Sequence, residues 1–290
     1  MRVMQTVANG FGQLESPRWH EGRLWFADWT AGVIHTIDKD GRIEAVVEHR
    51  SLPLCFDFLP DGAPVLASGP ERALLLLSPD RTLTPYADLS ALSPYGSNDI
   101  VVDGRGNTYV NNINFDFADG PPATGTAPGF VALVTADGRA RVVAEDLAFP
   151  NGMAVTADNA TLIVAESYRH RLTAFDIASG GSLTNRRVWA DVGDHSPDGI
   201  CLDAEGAAWY ADVGDRCCVR VTEGGQVTDR VQLDRGAFAC ALGGADGDTL
   251  FVVAARWPGA ERLMDHAAWD GTVISTSAPA AGAGWPGPGA

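Results

Sequence analysis

The chain of 290 residues contains one lysine, Lys39, and carries a formal net charge of −16. Arginine supplies the rest of the positive charge, and the acidic balance disfavours nucleic acid, whose phosphates need a basic patch. No stretch approaches the ~18 consecutive apolar residues of a membrane-spanning helix, so no membrane partner is expected. The opening Met1-Arg2-Val3-Met4-Gln5-Thr6 lacks the apolar core of a secretory leader, which points to the cytoplasm. The five cysteines (Cys55, Cys201, Cys217, Cys218 and Cys240) have no zinc-finger spacing and are odd in number, so reduced thiols are expected. Neither a serine-nucleophile elbow nor a His-Glu-x-x-His segment occurs, which removes support for two common hydrolase routes. Sustained 3.6-residue periodicity is absent, so little helix is expected.

What is present is a repeat. Pro150 to Asn159 (Pro-Asn-Gly-Met-Ala-Val-Thr-Ala-Asp-Asn) aligns without gaps with Pro197 to Gly206 (Pro-Asp-Gly-Ile-Cys-Leu-Asp-Ala-Glu-Gly), and Ser97 to Gly106 fits the same frame. Each unit reads as a polar residue, a short apolar strand, a tight turn and a second strand. Leu24 to Asp28 belongs to a further copy, and weaker copies lie at Phe56 to Leu59 and Cys240 to Leu242. The turn residues Gly22, Gly62, Gly106, Asn159, Gly206 and Gly247 are 40 to 53 residues apart. A period of ~40–50 residues with several short strands per unit is the signature of a β-propeller. Six copies predict an all-β, six-bladed β-propeller with a central metal-binding channel, formed by residues 1–277 as one domain. Arg2 to Ala8 is strand-like and is expected to close the last blade, since an open ring leaves pairing edges exposed. Residues 278–290, rich in Ala, Gly and Pro, read as a mobile tail. The stretch 115–128 reads as a long loop in blade three and a candidate lid.

The polar slot of the repeat holds Glu15, Asn98, Asn151 and Asp198. In a propeller the strand after this slot lies nearest the channel, so all four side chains are expected at one mouth. Asp28, Asn112, Glu166 and Asp212 end the second strands and are expected to form an outer ring about 4.8 Å further out. Asn112, Glu166 and Asp212, with Asn98, are the expected substrate contacts. Crowded carboxylates repel unless a cation or protons compensate. Donors that are all oxygen suit Ca²⁺ first, with Mg²⁺ or Mn²⁺ as alternatives and Zn²⁺ as a substitute. Taken singly, Asn151-Gly152 and Asp198-Gly199 also read as plain turn formers. His195, three residues before Asp198, reads as a bystander or a residue of the mouth.

Leu14-Glu15-Ser16-Pro17-Arg18-Trp19, Asn98-Asp99, Pro150-Asn151-Gly152-Met153 and Pro197 to Gly206, in this order, resemble the SMP-30/gluconolactonase/LRE-like family. The resemblance covers roughly residues 10 to 277. It implies a six-bladed propeller with one divalent metal, held by Glu15, Asn151 and Asp198. It also implies a substrate-contacting or metal-completing role for Asn98, and a general-base role for Asp198. Family members that hydrolyse sugar lactones carry an arginine where this chain has Gly96, and their acidic residue in the following loop has no clear counterpart here. The aromatic residues Trp29, Phe115, Phe117 and Tyr168 would suit a less polar lactone. The expected function is therefore metal-dependent opening of a small-molecule lactone by a monomer or weak homo-oligomer. Alternatives are a phosphotriesterase-like hydrolase and a non-catalytic ligand-binding propeller whose metal is structural.

Overall fold

The computed structural model describes residues 3–287 apart from 121 and 124. Arg2, two positions of the expected lid and the last three of the expected tail therefore lie outside the described residues. Six antiparallel four-stranded sheets stand in a ring. Their innermost strands are Leu14–His20, Leu54–Phe58, Ile100–Val102, Pro150–Val155, Ile200–Leu202 and Gly236–Gly243. The ring closes as expected. Gln5–Phe11 pairs with Gly271–Ser277 and supplies the outermost strand of the sixth blade, so the two ends of the propeller are joined by backbone hydrogen bonds.

The turn after each innermost strand explains the repeat. Gly22, Gly62, Gly106, Asn159, Gly206 and Gly247 all have positive φ. Glycine and asparagine adopt this left-handed conformation at the least steric cost. An aspartate often locks the same turn: Asp103 Oδ1 accepts from the backbone N–H groups of Arg105 and Asn107, and Asp203 Oδ1 from those of Glu205 and Ala207.

The core is a ring of inter-blade seams. Six apolar clusters each join one blade to the next, such as Val101, Tyr109 and Val131 of blade three with Met153, Val155 and Leu162 of blade four. Second strands are covered on both faces, so Thr108–Asn112 and Ala208–Asp212 are buried throughout. Among the described residues no helix is long and apolar enough to cross a membrane.

The C-terminal segment, expected to be a mobile tail, runs across the channel end opposite the polar slots. Gly282 N–H donates to Gly247 O (3.0 Å), Ala283 N–H to Leu202 O (3.0 Å) and Gly287 N–H to Ala157 O (3.1 Å). Trp285 lies edge-on to His20 and Phe58. Above this strap is a chamber of about 370 Å³ walled largely by Val101, Met153, Ile200 and Leu242. Arg18, Ile200 and Cys240 border both this chamber and the small cavity at the slot end.

Candidate metal centre and substrate mouth

Each slot is shaped by an irregularity in its strand pair. In blade one the register shifts between Glu15 and Arg18, and in blade four between Pro150 and Met153. In blades three and five the slot residues make matching bonds. Asn98 N–H donates to Asn111 O (2.9 Å) and Asp198 N–H to Ala211 O (2.8 Å), while the N–H groups of Asn111 and Ala211 return to Asp99 O and Gly199 O. Such bulges break the alternation of side chains and re-aim them.

The glycine after the slot has a reason other than a turn. Gly152 lies inside strand Pro150–Val155, and its N–H donates to Asp198 O (3.1 Å). A Cβ on Gly152 would stand 2.6 Å from Asp198 O, and one on Gly199 would stand 2.2 Å from the Ala239 Cβ. Blades four, five and six thus meet backbone to backbone at the mouth, which brings the slot side chains towards one another.

Glu15, Asn98, Asp99 and Asn151 line a cavity of about 10 Å³, with Arg18 and Trp29 also in its wall. That is room for a single water-sized or ion-sized body. Asn98 Nδ2 donates to Asn151 Oδ1 (3.3 Å), and Asn151 Nδ2 to Ser167 Oγ (3.3 Å). Ser167 Oγ in turn donates to Pro197 O (2.7 Å), beside Asp198. Asp198 stands beside this group, close enough for its charge to act on Glu15.

The carboxyl groups here are hard to ionise together. Burial, then the charges of Asp198 and Asp99, push Glu15 well above the usual carboxylate range. Burial, then Asp99 and Asp212, do the same to Asp198. Burial raises Asp99 to about 6, although Arg18 opposes the rise. Arg18 is shared among several partners: Nε lies 3.3 Å from Asp57 Oδ1, while Nη2 donates to Ile100 O (3.0 Å) and lies 3.8 Å from Asp99 Oδ1. The donor set fits a hard divalent cation, which would relieve the repulsion that these acids otherwise answer with protons. Cys55 also lines the cavity, but its thiol donates to Asn98 O and is pushed well above the usual thiol value, first by burial. Its place in the wall is that of a hydrogen-bonded thiol.

The outer positions, expected to contact substrate, do not line this cavity, and each is held by partners of its own. Glu166 is fully buried. Its Oε1 accepts from the Arg171 guanidinium (2.8 and 2.7 Å) and Thr173 Oγ1 (2.6 Å), and its Oε2 from Ala148 N–H (2.8 Å). Against the penalty of burial, these bonds hold Glu166 below its usual value. Asn112 is bonded to Tyr95 O and Asn114 N–H, and Asp28 to the N–H groups of Gly12 and Ala31. Asp212 accepts from Ser196 N–H (3.0 Å) and His195 Nδ1 (2.9 Å), with Asp215 Oδ2 3.0 Å from the same ring nitrogen. These side chains fasten the connections around the rim. Asp99 and Arg18 were not predicted site residues, though both stand in the quoted motifs. Strict alternation sends neighbours to opposite faces of a strand, yet Asn98 and Asp99 both reach the cavity.

Beside Asn151 the rim is aromatic. Phe149 and Tyr168 stand 4.6 Å apart between ring centroids, and Phe115 and Phe117 approach Phe149 at 5.9 and 6.0 Å. Phe117 and Tyr168 are 37% and 41% exposed. Phe149 has φ 55°, an uncommon conformation for a bulky residue.

The fold agrees with a family model. The model of the SMP-30/Gluconolactonase/LRE-like region matches residues 14–256. The chain belongs to that family. Among relatives, a 6-deoxy-6-sulfogluconolactonase of Pseudomonas putida is 28% identical over 264 residues, which cover 87% of this chain and 86% of the relative. An L-arabinolactonase of Azospirillum brasilense is 29% identical over 165 residues, covering 56% and 53%. A solved luciferin-regenerating enzyme superposes with a TM-score of 0.82 at 19% identity, covering 100% of this chain and 99% of the other. That likeness concerns the fold alone.

Proposed function

We propose that this family member opens a lactone ring by hydrolysis, using one divalent cation held by Glu15, Asn151 and Asp198. The observation that carries the reading is one ion-sized cavity lined by the carboxyl groups of Glu15 and Asp99 and the carboxamides of Asn98 and Asn151, with the charge of Asp198 acting on Glu15 from beside it. Lactonases among the relatives supply the substrate class. Ca²⁺ is the first choice for such oxygen donors, with Mg²⁺, Mn²⁺ and Zn²⁺ as alternatives. When bound, the ion supplies Lewis-acid polarisation of a carbonyl oxygen and lowers the pKa of water.

The protein groups do the rest. The Asp198 carboxylate takes the proton of the attacking water as its oxygen bonds to the carbonyl carbon, and the proton passes to the ring oxygen when the C–O bond breaks. Asn98 orients the lactone beside Asn151. Trp29 adds a buried indole Nε1 that has no acceptor among the described residues and is available to an oxygen of a bound ligand. The five free cysteines suit a reducing compartment, and we place the protein in the cytoplasm.

The test is hydrolysis of sugar and alkyl lactones by metal-stripped protein, with Ca²⁺, Mg²⁺, Mn²⁺ and Zn²⁺ returned singly. Cation-dependent turnover is expected, with kcat lowered by about 10²-fold or more in Asp198→Ala. Cation binding without turnover of any lactone would leave a binding protein with a structural ion.

A further inference from the structure

The acidic cavity is too small to hold a whole substrate, so the rest of the molecule must rest on the rim. Four rings, Phe115, Phe117, Phe149 and Tyr168, form one continuous patch outside the cavity wall. The patch is tied to the cavity through the backbone. Phe149 stands two residues before Asn151, and Ser167 N–H donates to Phe149 O (3.1 Å). Ser167 Oγ receives the Asn151 amide, and Tyr168 follows it in the chain.

Two of these rings have no packing role that accounts for their exposure. Phe117 begins the short helical turn Phe117–Asp119, which buries none of its residues. Tyr168 lies in the turn Ser167–Arg169, where the structure buries only Ser167. Exposed rings gathered at a polar cavity are an energetic liability unless something apolar covers them. Arg169, the cation next to Tyr168, is not free to grip hydroxyls. It is held by Asp146 (2.9 Å) and Glu166 (3.2 Å). On the blade-three side, a Cβ on Gly96 would stand 2.8 Å from the Gly69 Cα, so that position can project no side chain without moving backbone.

We infer that the aromatic patch is the subsite for an apolar substituent of the substrate, so that the preferred lactone carries an alkyl or aryl group rather than several hydroxyls. The inference rests on the lactonase reading and adds the substrate class. The lactone ring sits at the oxygen cluster, and its substituent lies across Tyr168 and Phe117 in stacked or edge-on contact.

The experiment compares kcat/KM of the cation-loaded full chain for three substrates: an unsubstituted five-membered lactone, the same ring bearing a phenyl or hexyl group, and gluconolactone. The substituted ring should exceed both others by about tenfold or more. Phe117→Ala and Tyr168→Ala should each reduce the ratio of substituted to unsubstituted kcat/KM by about tenfold, and Tyr168→Phe should restore most of it. Melting temperatures of the variants check that each is folded. A preference for gluconolactone, or a ratio unmoved in both alanine variants, overturns the inference while leaving the lactonase reading intact. Failure of the parent protein to turn over any of the three removes both.

Discussion

At the scale of single residues, the mouth is organised by the difficulty of ionising acids side by side. Glu15, Asp99 and Asp198 are all raised in the folded protein, each first by burial. A raised carboxyl group favours the fold while it is protonated. Its contribution to stability is complete below the unfolded-state value and is lost as pH climbs through the folded value, about 6 for Asp99. A cation bound among these oxygens would remove that loss. The rise in melting temperature on adding Ca²⁺ should therefore be larger at about pH 7.5 than at about pH 5. Equal rises at the two pH values would place the ion away from these three acids. The oxygen-rich slots were legible in the sequence because repeat alignment superposes them. Asp99 was not, because only the bulge at Asn98 turns two successive side chains to one cavity.

At the scale of strands, the pattern of short apolar runs and glycine turns carried most of the assignment. Even the weak copies at Phe56 and Cys240 became innermost strands, Leu54–Phe58 and Gly236–Gly243. The glycines beside the slots tell a different story from the turn glycines. Gly199 is required by the approach of Ala239 in the next blade, and its N–H donates to Phe238 O (2.9 Å). Gly199→Ala should cost about 1–3 kcal/mol through overpacking, read as a lower urea midpoint. An unchanged midpoint would mean that blades five and six separate easily at this point. The partners of the outer ring were not legible at this scale. The register of a second strand predicts that its last residue ends near the mouth. It does not predict that Arg171, Thr173 and a backbone N–H converge on Glu166 and occupy both of its oxygens.

For the whole molecule, closure has two parts. Gln5–Phe11 seals the ring, and residues 278–287 strap the channel end opposite the oxygen cluster. Cys201 and Cys240 border the chamber above that strap, and their sulfur atoms are 3.8 Å apart. A chain ending at Ser277 should melt at a lower temperature, and its Cys201 and Cys240 should react faster with a soluble thiol reagent, because Trp285 and Pro286 no longer cover the chamber. Labelling at the full-length rate would show that the strap is open in solution. The sequence by itself determined the blade count, the ring and the four oxygen-bearing slots, because these follow from a repeated local pattern of turn conformation and alternating polarity. Only the tertiary structure decided which acids share a cavity, which are tied up in the rim, where the aromatic patch lies and what the tail covers. Those outcomes depend on contacts between blades, whose partners are far apart in the chain and follow no fixed spacing.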